Sequence, residues 1–320
     1  MKQRRSEYDV SNDIKTTDPA VVNAAVDRIF TRLYPNEAAG QIDRAFQDMA
    51  GLYCGDRPGY FACDTPYHDI QHVLDVTLAM ARLIDGYNRG VVGIESLDAP
   101  LFRLGIVTAL FHDCGYVRTL GEKQHRNGSE LTLTHVSRGA QFVRAYLPTI
   151  GMGEMADIAA QLIHFTGFET PVADITLPTS SHRLLGSILG SADIIAQMSD
   201  RCYLEKCRDR LYPEFVAAGI ARKRLPNGEE QVVFESGEDL VLKTPRFYES
   251  AIRRLETDFD GAHHHAARHF GGEHRYFEEL AKNVQFAHKL ATAGDARALK
   301  RHPPVTLALV RPGEPEEMAA

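Results

Sequence analysis

The run of residues 104–115 is the sequence feature that most constrains the fold. It is almost entirely apolar, and it ends in His112 and Asp113 just before Gly115. An apolar run of this density is typical of a buried helix, where an imidazole or a carboxylate is unfavourable unless it is paired. A metal ion would satisfy both side chains at once. We therefore expect a core helix that ends in two metal ligands.

The other apolar positions predict an all-α fold. Apolar residues recur at the spacing of a helix face in residues 18–34, 36–53, 67–89, 99–113, 130–146, 153–165, 182–199, 201–218, 246–258 and 273–293. In residues 222–244 an Asn-Gly turn signal precedes a short β-like run, which predicts a hairpin or an ordered loop. No alternating strand pattern recurs elsewhere, so the chain is predicted to be a helical bundle.

One domain over residues 18–300 accounts for this pattern. Its core is expected at about residues 65–200, between N- and C-terminal helical extensions. Residues 1–17 are polar and predict a flexible leader. Residues 301–320 contain Pro, Glu and Gly and predict a loose tail.

The composition narrows the class of protein. The formal net charge of −7 argues against nucleic acid as a required partner. The five cysteines are odd in number and form no CxxC pair, which favours a reducing compartment. No run reaches the roughly 18 apolar residues that span a bilayer. We expect a cytoplasmic protein without a membrane partner. The oligomeric state is not determined by the sequence, and a homodimer is compatible with it.

Further candidate ligands stand on the neighbouring predicted helices. His68 and His72 are four residues apart and would share a helix face. His135, His164 and Asp193 follow at positions of the next helices where apolar residues would be expected. Imidazoles with a few carboxylates suit Fe, Mn, Zn or Ni, and Mg is compatible with the carboxylates. The pattern therefore predicts one or two divalent metals.

The order H…HD…H…H…D over residues 65–200 resembles the HD-domain superfamily of metal-dependent phosphohydrolases. The fragment Tyr67-His68-x-x-x-His72-x-x-Asp75-Val76 also resembles the first signature of class I cyclic-nucleotide phosphodiesterases. The resemblance implies an HD-domain helical bundle in which His68 protonates the leaving oxygen. It implies a first metal held by His72, His112, Asp113 and Asp193, and a second held by Asp113, His135 and His164.

Some positions depart from these families. After Asp113 the phosphodiesterase pattern has a further His and a Pro-Gly, whereas this chain has Cys-Gly-Tyr116. Tyr116 also replaces the Lys that often follows the Gly in HD hydrolases. The nucleotide-clamping Gln and aromatic residue of the phosphodiesterases have no identified counterpart here.

Several cationic residues follow the predicted metal ligands. Arg118 and Arg126 are candidates to bind a phosphate, because Arg does so with two hydrogen bonds. Lys123 is expected on a solvated loop face, and His125 could be a rim ligand or base. The C-terminal histidines, His263, His264, His265, His269 and His274, are either a metal site or a solvated helix surface.

Three functions fit these residues. The first is hydrolysis of a phosphoester in a small substrate, with a nucleotide as the leading candidate, by attack of a metal-bound hydroxide. The second is an HD-fold di-iron oxygenase similar to myo-inositol oxygenase, which has the same ligand order. The third is a catalytically silent nucleotide-binding module.

Overall fold

The structure is a computed structural model of the 320-residue chain, and it describes residues 4–91, 96–225 and 228–305. Its described part is all-α apart from one two-stranded antiparallel sheet, which confirms the predicted fold class. The helices are α1 (Pro19–Leu33), α2 (Gly40–Cys54), α3 (Ile70–Asn88), α4 (Ala99–Phe111), α5 (His135–Tyr146), α6 (Ala156–Ile163), α7 (Ser180–Ser199), α8 (Tyr203–Lys206), α9 (Tyr212–Ala217), α10 (Gly237–Arg253), α11 (His265–His269) and α12 (Arg275–Ala293). The strands are β1 (Arg222–Arg224) and β2 (Glu230–Val232).

Shorter turns connect these elements. The 3₁₀ turns are Cys114–Tyr116, Gly128–Leu131, Leu147–Ile150, Gly153–Met155, Val172–Asp174 and Ala262–His264. Two π-helical turns, Cys207–Leu211 and Arg254–Asp258, follow α8 and α10. The predicted hairpin is present as the β1–β2 pair, while residues 226–227 of its turn lie outside the described residues.

The departure from the predicted boundaries that matters most for the site concerns α3. The sequence analysis starts this helix at residue 67, but the structure starts it at Ile70. The Asp69 side chain accepts a hydrogen bond from the His72 backbone N–H at 3.0 Å and caps the helix there. His68 therefore lies before the helix, and its expected place on one helix face with His72 is wrong.

The core forms around α3 and α4. Nearly every residue of α3 is buried, and α4 is buried along the run that the sequence analysis identified. Helices α1, α4, α7 and α11 pack around α3. At Gly86 of α3, an added Cβ atom would lie 1.8 Å from the His265 carbonyl oxygen, so glycine permits the close approach of α11.

The segments at both ends of the chain contact this bundle. Asp9 accepts a hydrogen bond from Arg82 of α3 at 2.5 Å, and Arg82 also donates to the Tyr276 hydroxyl of α12 at 3.0 Å. Burial alone would raise the pKa of Asp9, but Arg82 lowers it to about 2. At the other end, Arg210 donates to the Pro304 carbonyl oxygen at 2.5 Å. The sequence analysis did not anticipate these contacts, and most of the predicted tail, residues 306–320, lies outside the described residues.

In the described part of the chain, no helix combines the length and apolar character needed to span a membrane.

Candidate metal centre and active-site cavity

Predicted ligands from three helices meet in the middle of the bundle. His72 lies on α3, His112 and Asp113 directly follow α4, and Asp193 lies on α7. The His72 Nε2 atom lies 3.3 Å from His112 Nε2. It lies 3.2 Å from Asp113 Oδ2 and 3.4 Å from Asp193 Oδ1. We call these four residues the histidine–aspartate centre.

The spacing of these atoms fits a shared metal ion. Ligand atoms about 2.0–2.2 Å from one metal lie roughly 2.8–3.1 Å from each other in octahedral geometry and roughly 3.3–3.6 Å in tetrahedral geometry. Asp113 Oδ2 is buried and has no hydrogen-bond partner among the described residues, although His112 Nε2 is also 3.2 Å away. His112 Nδ1 donates to the Ala109 carbonyl oxygen at 2.8 Å, so the Nε2 lone pair faces the centre.

Burial and charge act in opposite directions on this centre. Burial alone would lower the pKa of His72, but the carboxylates of Asp113 and Asp193 raise it to about 10. The pKa of His112 is also raised, because Asp113 outweighs the effect of burial. Burial alone would raise the pKa of Asp113, whereas the facing imidazoles hold it well below its usual range. The imidazoles and carboxylates of the centre thus stabilise each other's charged forms in a buried position.

The second carboxylate oxygen of Asp113 faces His135 at the start of α5. The distance between Asp113 Oδ1 and His135 Nε2 is 3.6 Å. His135 Nδ1 donates to the Thr132 carbonyl oxygen at 2.6 Å, and burial lowers the pKa of the ring. An added Cβ atom at Gly115 would lie 1.9 Å from the His135 carbonyl oxygen. Gly115 does not end α4, which stops at Phe111; it lies in the 3₁₀ turn that follows and lets α5 approach Asp113.

His164, the remaining predicted ligand, lies apart from this group. Its Nδ1 atom is 2.8 Å from the Glu169 carboxylate. In the described part of the chain, no hydrogen bond, ion pair or ring contact joins it to His135 or Asp113. The second metal expected at Asp113, His135 and His164 would lack its third ligand in this arrangement. Helix α6 ends at Ile163, and His164 takes the turn that follows.

His68 lies beside the centre and is held by a carboxylate. Its Nδ1 atom is 2.5 Å from Glu214 Oε2, while the other oxygen of Glu214 accepts from the Tyr67 backbone N–H at 2.6 Å. Burial lowers the pKa of His68, but the Glu214 carboxylate outweighs it and the net pKa is raised. The ring lies 5.8 Å from that of His72, centroid to centroid. This arrangement can hold a proton next to the centre at neutral pH.

Tyr116 fixes the relative position of two of these rings. It stacks on His68 with a centroid distance of 4.4 Å and on His135 with a centroid distance of 4.3 Å. The interplanar angles are 17° and 18°. The tyrosine that departs from the family pattern is therefore sandwiched between the predicted acid and a predicted ligand.

A cavity of about 1040 Å³ opens on the centre. His68, His72, Asp113, His135 and Asp193 all line it. Its remaining walls carry several aromatic side chains, including Tyr67, Tyr116, Phe165, Phe168, Tyr203, Phe215, Phe234 and Phe247. An apolar cleft with a few convergent polar groups is the usual form of a small-molecule site.

The two arginines predicted to bind substrate do not line this cavity. Arg118 donates to Asp64 at 2.6 Å and to the His125 carbonyl oxygen at 2.7 Å, so its guanidinium is already engaged. The side chain of Arg126 is 91% exposed and pairs with Glu130. Both lie on the loop between the 3₁₀ turns Cys114–Tyr116 and Gly128–Leu131. The described cations that line it are Lys223, Lys243, Arg246 and Arg254.

Sequence reasoning missed two polar residues of the site. Glu214 follows a proline in a segment with no recognised motif, and only the fold of α9 brings it to His68. Gln197 lies one turn after Asp193 on α7, and its amide contacts both Asp193 Oδ1, at 3.4 Å, and the Tyr67 hydroxyl, at 3.2 Å. Its i, i+4 spacing from a predicted ligand was a signal that could have identified it.

Comparison with known proteins gives one informative likeness. The sequence matches no family model and no curated protein. The fold is similar to the crystal structure of the phosphodiesterase domain of the RhoPDE fusion protein from the choanoflagellate Salpingoeca rosetta. The TM-score is 0.51 at 12% sequence identity, and the match covers 92% of this chain and 97% of that chain. At this identity the likeness concerns the fold.

Proposed function

We propose that this protein is a metal-dependent hydrolase of phosphoesters, and that its substrate is a nucleotide. The observation that carries the proposal is the position of His68, which Glu214 holds beside the histidine–aspartate centre in one cavity. The likeness to a phosphodiesterase domain, which covers nearly the whole chain, supports the same reaction class.

The donor set of the centre suits a divalent transition metal such as Fe, Mn, Zn or Ni, with Mg less well matched to imidazole. His72, His112, Asp113 and Asp193 would hold it, because their ligand atoms converge and Asp113 Oδ2 is otherwise without a hydrogen-bond partner in the described residues. Such an ion lowers the pKa of bound water and polarises a phosphoryl oxygen. Asp113 Oδ1 and His135 would contribute to a second ion.

His68 supplies the proton in this proposal. When water attacks phosphorus, the bond between phosphorus and the leaving oxygen breaks, and that oxygen needs a proton. Glu214 accepts the hydrogen bond from Nδ1, so the Nε2–H group is the one free to donate. Glu214 raises the pKa of His68 and so favours the protonated ring that this role needs.

The rest of the cavity suits a nucleotide. Its aromatic walls offer faces on which a base can stack, and Phe168, which is 76% exposed, leaves such a face at the mouth. Lys223 and Arg246 line the same cavity, are exposed, and have no ion pair among the described residues. These cations, in place of Arg118 and Arg126, would contact the phosphate.

Replacement of Asp113 by Asn tests the proposal. Purified protein would be assayed for metal content and for hydrolysis of bis(p-nitrophenyl) phosphate and of a panel of nucleotide mono- and diesters. Asp113→Asn should lose the centre's metal and lower kcat at least about 1000-fold, as expected for loss of a group central to transition-state stabilisation. Asp157→Asn is the matched control, since its side chain is 85% exposed on α6.

The same assays separate the other two candidate functions. Retention of both metal and hydrolysis in Asp113→Asn would show the proposal to be wrong. An iron-dependent consumption of O₂ without hydrolysis would identify an oxygenase. Binding of a nucleotide with metal present and no turnover would identify a silent binding module.

A further inference from the structure

A second group of histidines lies near the C-terminus, outside the cavity. His263 and His264 belong to the 3₁₀ turn before α11, and His274 precedes α12. One ring nitrogen from each lies within 4.8 Å of the others. The ring centroids of His263 and His264 are 3.9 Å apart, and those of His263 and His274 are 5.8 Å apart. We call these three residues the C-terminal triad.

His263 occupies an unfavourable position for an imidazole. Its side chain is fully buried, and neither of its ring nitrogens has a hydrogen-bond partner among the described residues. The Nε2 atom of His274 is likewise buried without a hydrogen-bond partner in that part of the chain, while its Nδ1 atom accepts a 3.4 Å hydrogen bond from the Phe277 N–H, which binding of a metal by this ring would break. A neutral imidazole carries one N–H donor and one lone pair, and both are unfavourable when buried and unpaired. For His263 the predicted solvated surface is therefore wrong.

Glu256, in the π-helical turn after α10, brings a carboxylate to two of these rings. Its Oε1 atom lies 3.4 Å from His263 Nε2 and 3.3 Å from His264 Nε2. Ligands about 2.0–2.2 Å from a zinc ion in tetrahedral geometry lie roughly 3.3–3.5 Å from each other. One oxygen thus has the spacing expected when a metal lies between it and both imidazoles.

The backbone turns sharply between Glu256 and the triad. Asp260 and Gly261 have φ of 51° and 65°, and His263 and His264 follow directly after this turn.

We infer that His263, His264, His274 and Glu256 form a second metal site, separate from the histidine–aspartate centre, with the ligand chemistry of a structural zinc site. Four protein ligands would close the coordination sphere, so the site would join three elements rather than bind a substrate. It would connect the turn after α10 to the start of α12, which packs against α7. Neither the site nor this role depends on the proposed function.

Metal binding to the untagged full chain tests this inference. The Asp113→Asn variant is the background, because loss of this carboxylate should weaken metal binding at the histidine–aspartate centre, and the ligand variants are compared with each other in that same background. Metal-free protein would be titrated with Zn²⁺ and with Co²⁺, whose visible spectrum reports coordination number. We expect about one equivalent of either metal and the intense absorption of four-coordinate Co²⁺.

Two substitutions then probe the ligands without changing the buried His263. His264→Gln removes a half-exposed ligand, and His274→Asn keeps a side-chain acceptor for the Phe277 N–H that His274 now caps. Together they should weaken Zn²⁺ binding by more than about 100-fold, since loss of an outer partner alone costs about 10–100-fold. His288→Gln is the control, as it is exposed on α12.

Two outcomes would overturn the inference. One is that the background variant binds no Zn²⁺ or Co²⁺ at micromolar concentration. The other is that the paired substitution binds these metals as tightly as the His288→Gln control. A failure of phosphoesterase activity would affect neither measurement, so the two proposals fail separately.

Discussion

The histidine–aspartate centre and the C-terminal triad both contain buried imidazoles, but their neighbours differ. In the centre, two carboxylates face the rings and raise the pKa of His72 to about 10. In the triad, only one partly exposed carboxylate is present, and burial lowers the pKa of His263 to about 3. The centre also opens on a cavity of about 1040 Å³, whereas the triad does not line it.

This difference shows that the neighbours of a buried histidine determine whether its pKa is raised or lowered. Carboxylates beside a buried imidazole stabilise its charged form, and an open side leaves room for substrate. An imidazole buried among other imidazoles stays neutral, and it needs a metal or a hydrogen bond to be stable there. The centre is therefore suited to chemistry and the triad to structure, and each of the following predictions tests that division.

The largest expected effect comes from His68→Asn. It should lower kcat for an alkyl phosphodiester by about 100-fold to 10,000-fold, because the leaving oxygen loses its proton donor. The loss should be much smaller for bis(p-nitrophenyl) phosphate, whose leaving group needs little protonation. Metal content at the centre and at the triad should not change. Equal losses for both substrates would contradict the role of His68 as the acid.

Glu214→Gln should act through His68 and shift the pH profile. The acid is active when protonated, so activity falls as pH rises through the pKa of His68. Glu214 raises that pKa, and its removal should move the falling limb of kcat to lower pH. The loss of activity relative to wild type should therefore be largest at alkaline pH and smallest at acidic pH. An unshifted profile, like that expected for the exposed control Glu249→Gln, would remove Glu214 from this role.

Two arginine substitutions distinguish the phosphate contact predicted from the sequence from the one indicated by the structure. Arg246 lines the cavity, whereas Arg126 is 91% exposed and pairs with Glu130 away from it. Arg246→Ala should raise KM by up to about 10-fold, the effect of losing one charged hydrogen bond to phosphate. Arg126→Ala should leave KM unchanged. If steady-state kinetics showed a raised KM for Arg126→Ala and an unchanged KM for Arg246→Ala, the contact predicted from the sequence would be supported instead.

The smallest effect on catalysis is expected at the triad. His264→Gln should leave kcat and KM at the wild-type values, because Glu256 and the triad contribute nothing to the cavity. With Zn²⁺ present it should nevertheless lower Tm by several degrees, since a bound ion stabilises the native state by mass action. A fall in kcat with no change in Tm would contradict the division between the two clusters.

The pattern of apolar residues was enough to predict much of this protein. The density of the run at residues 104–115 identified α4, and helical spacing elsewhere identified most other helices. The boundaries were less accurate, because caps such as Asp69 depend on one local hydrogen bond. Helix α10 also begins earlier than predicted, at Gly237, since Ser236 caps it and Pro245 is tolerated within it.

The candidate site was predictable where a side chain interrupts an apolar helix. His72, His112, Asp113 and Asp193 were identified in that way, and the structure brings them together. Arg118, Arg126 and His164 lie on loops or at a helix end, where the direction of a side chain is not set by helical periodicity. In the structure, Arg118 contacts Asp64 and His164 contacts Glu169. The spacing of these residues in the sequence predicts neither contact.

By itself, therefore, the sequence determined the all-α class and four polar side chains that converge, because burial of a polar group in an apolar helix requires a partner. Only the tertiary structure decided that Glu214 holds His68, that Tyr116 stacks between His68 and His135, and that His263 is buried. Each of these depends on segments far apart in the chain, whose meeting is fixed by how the helices pack.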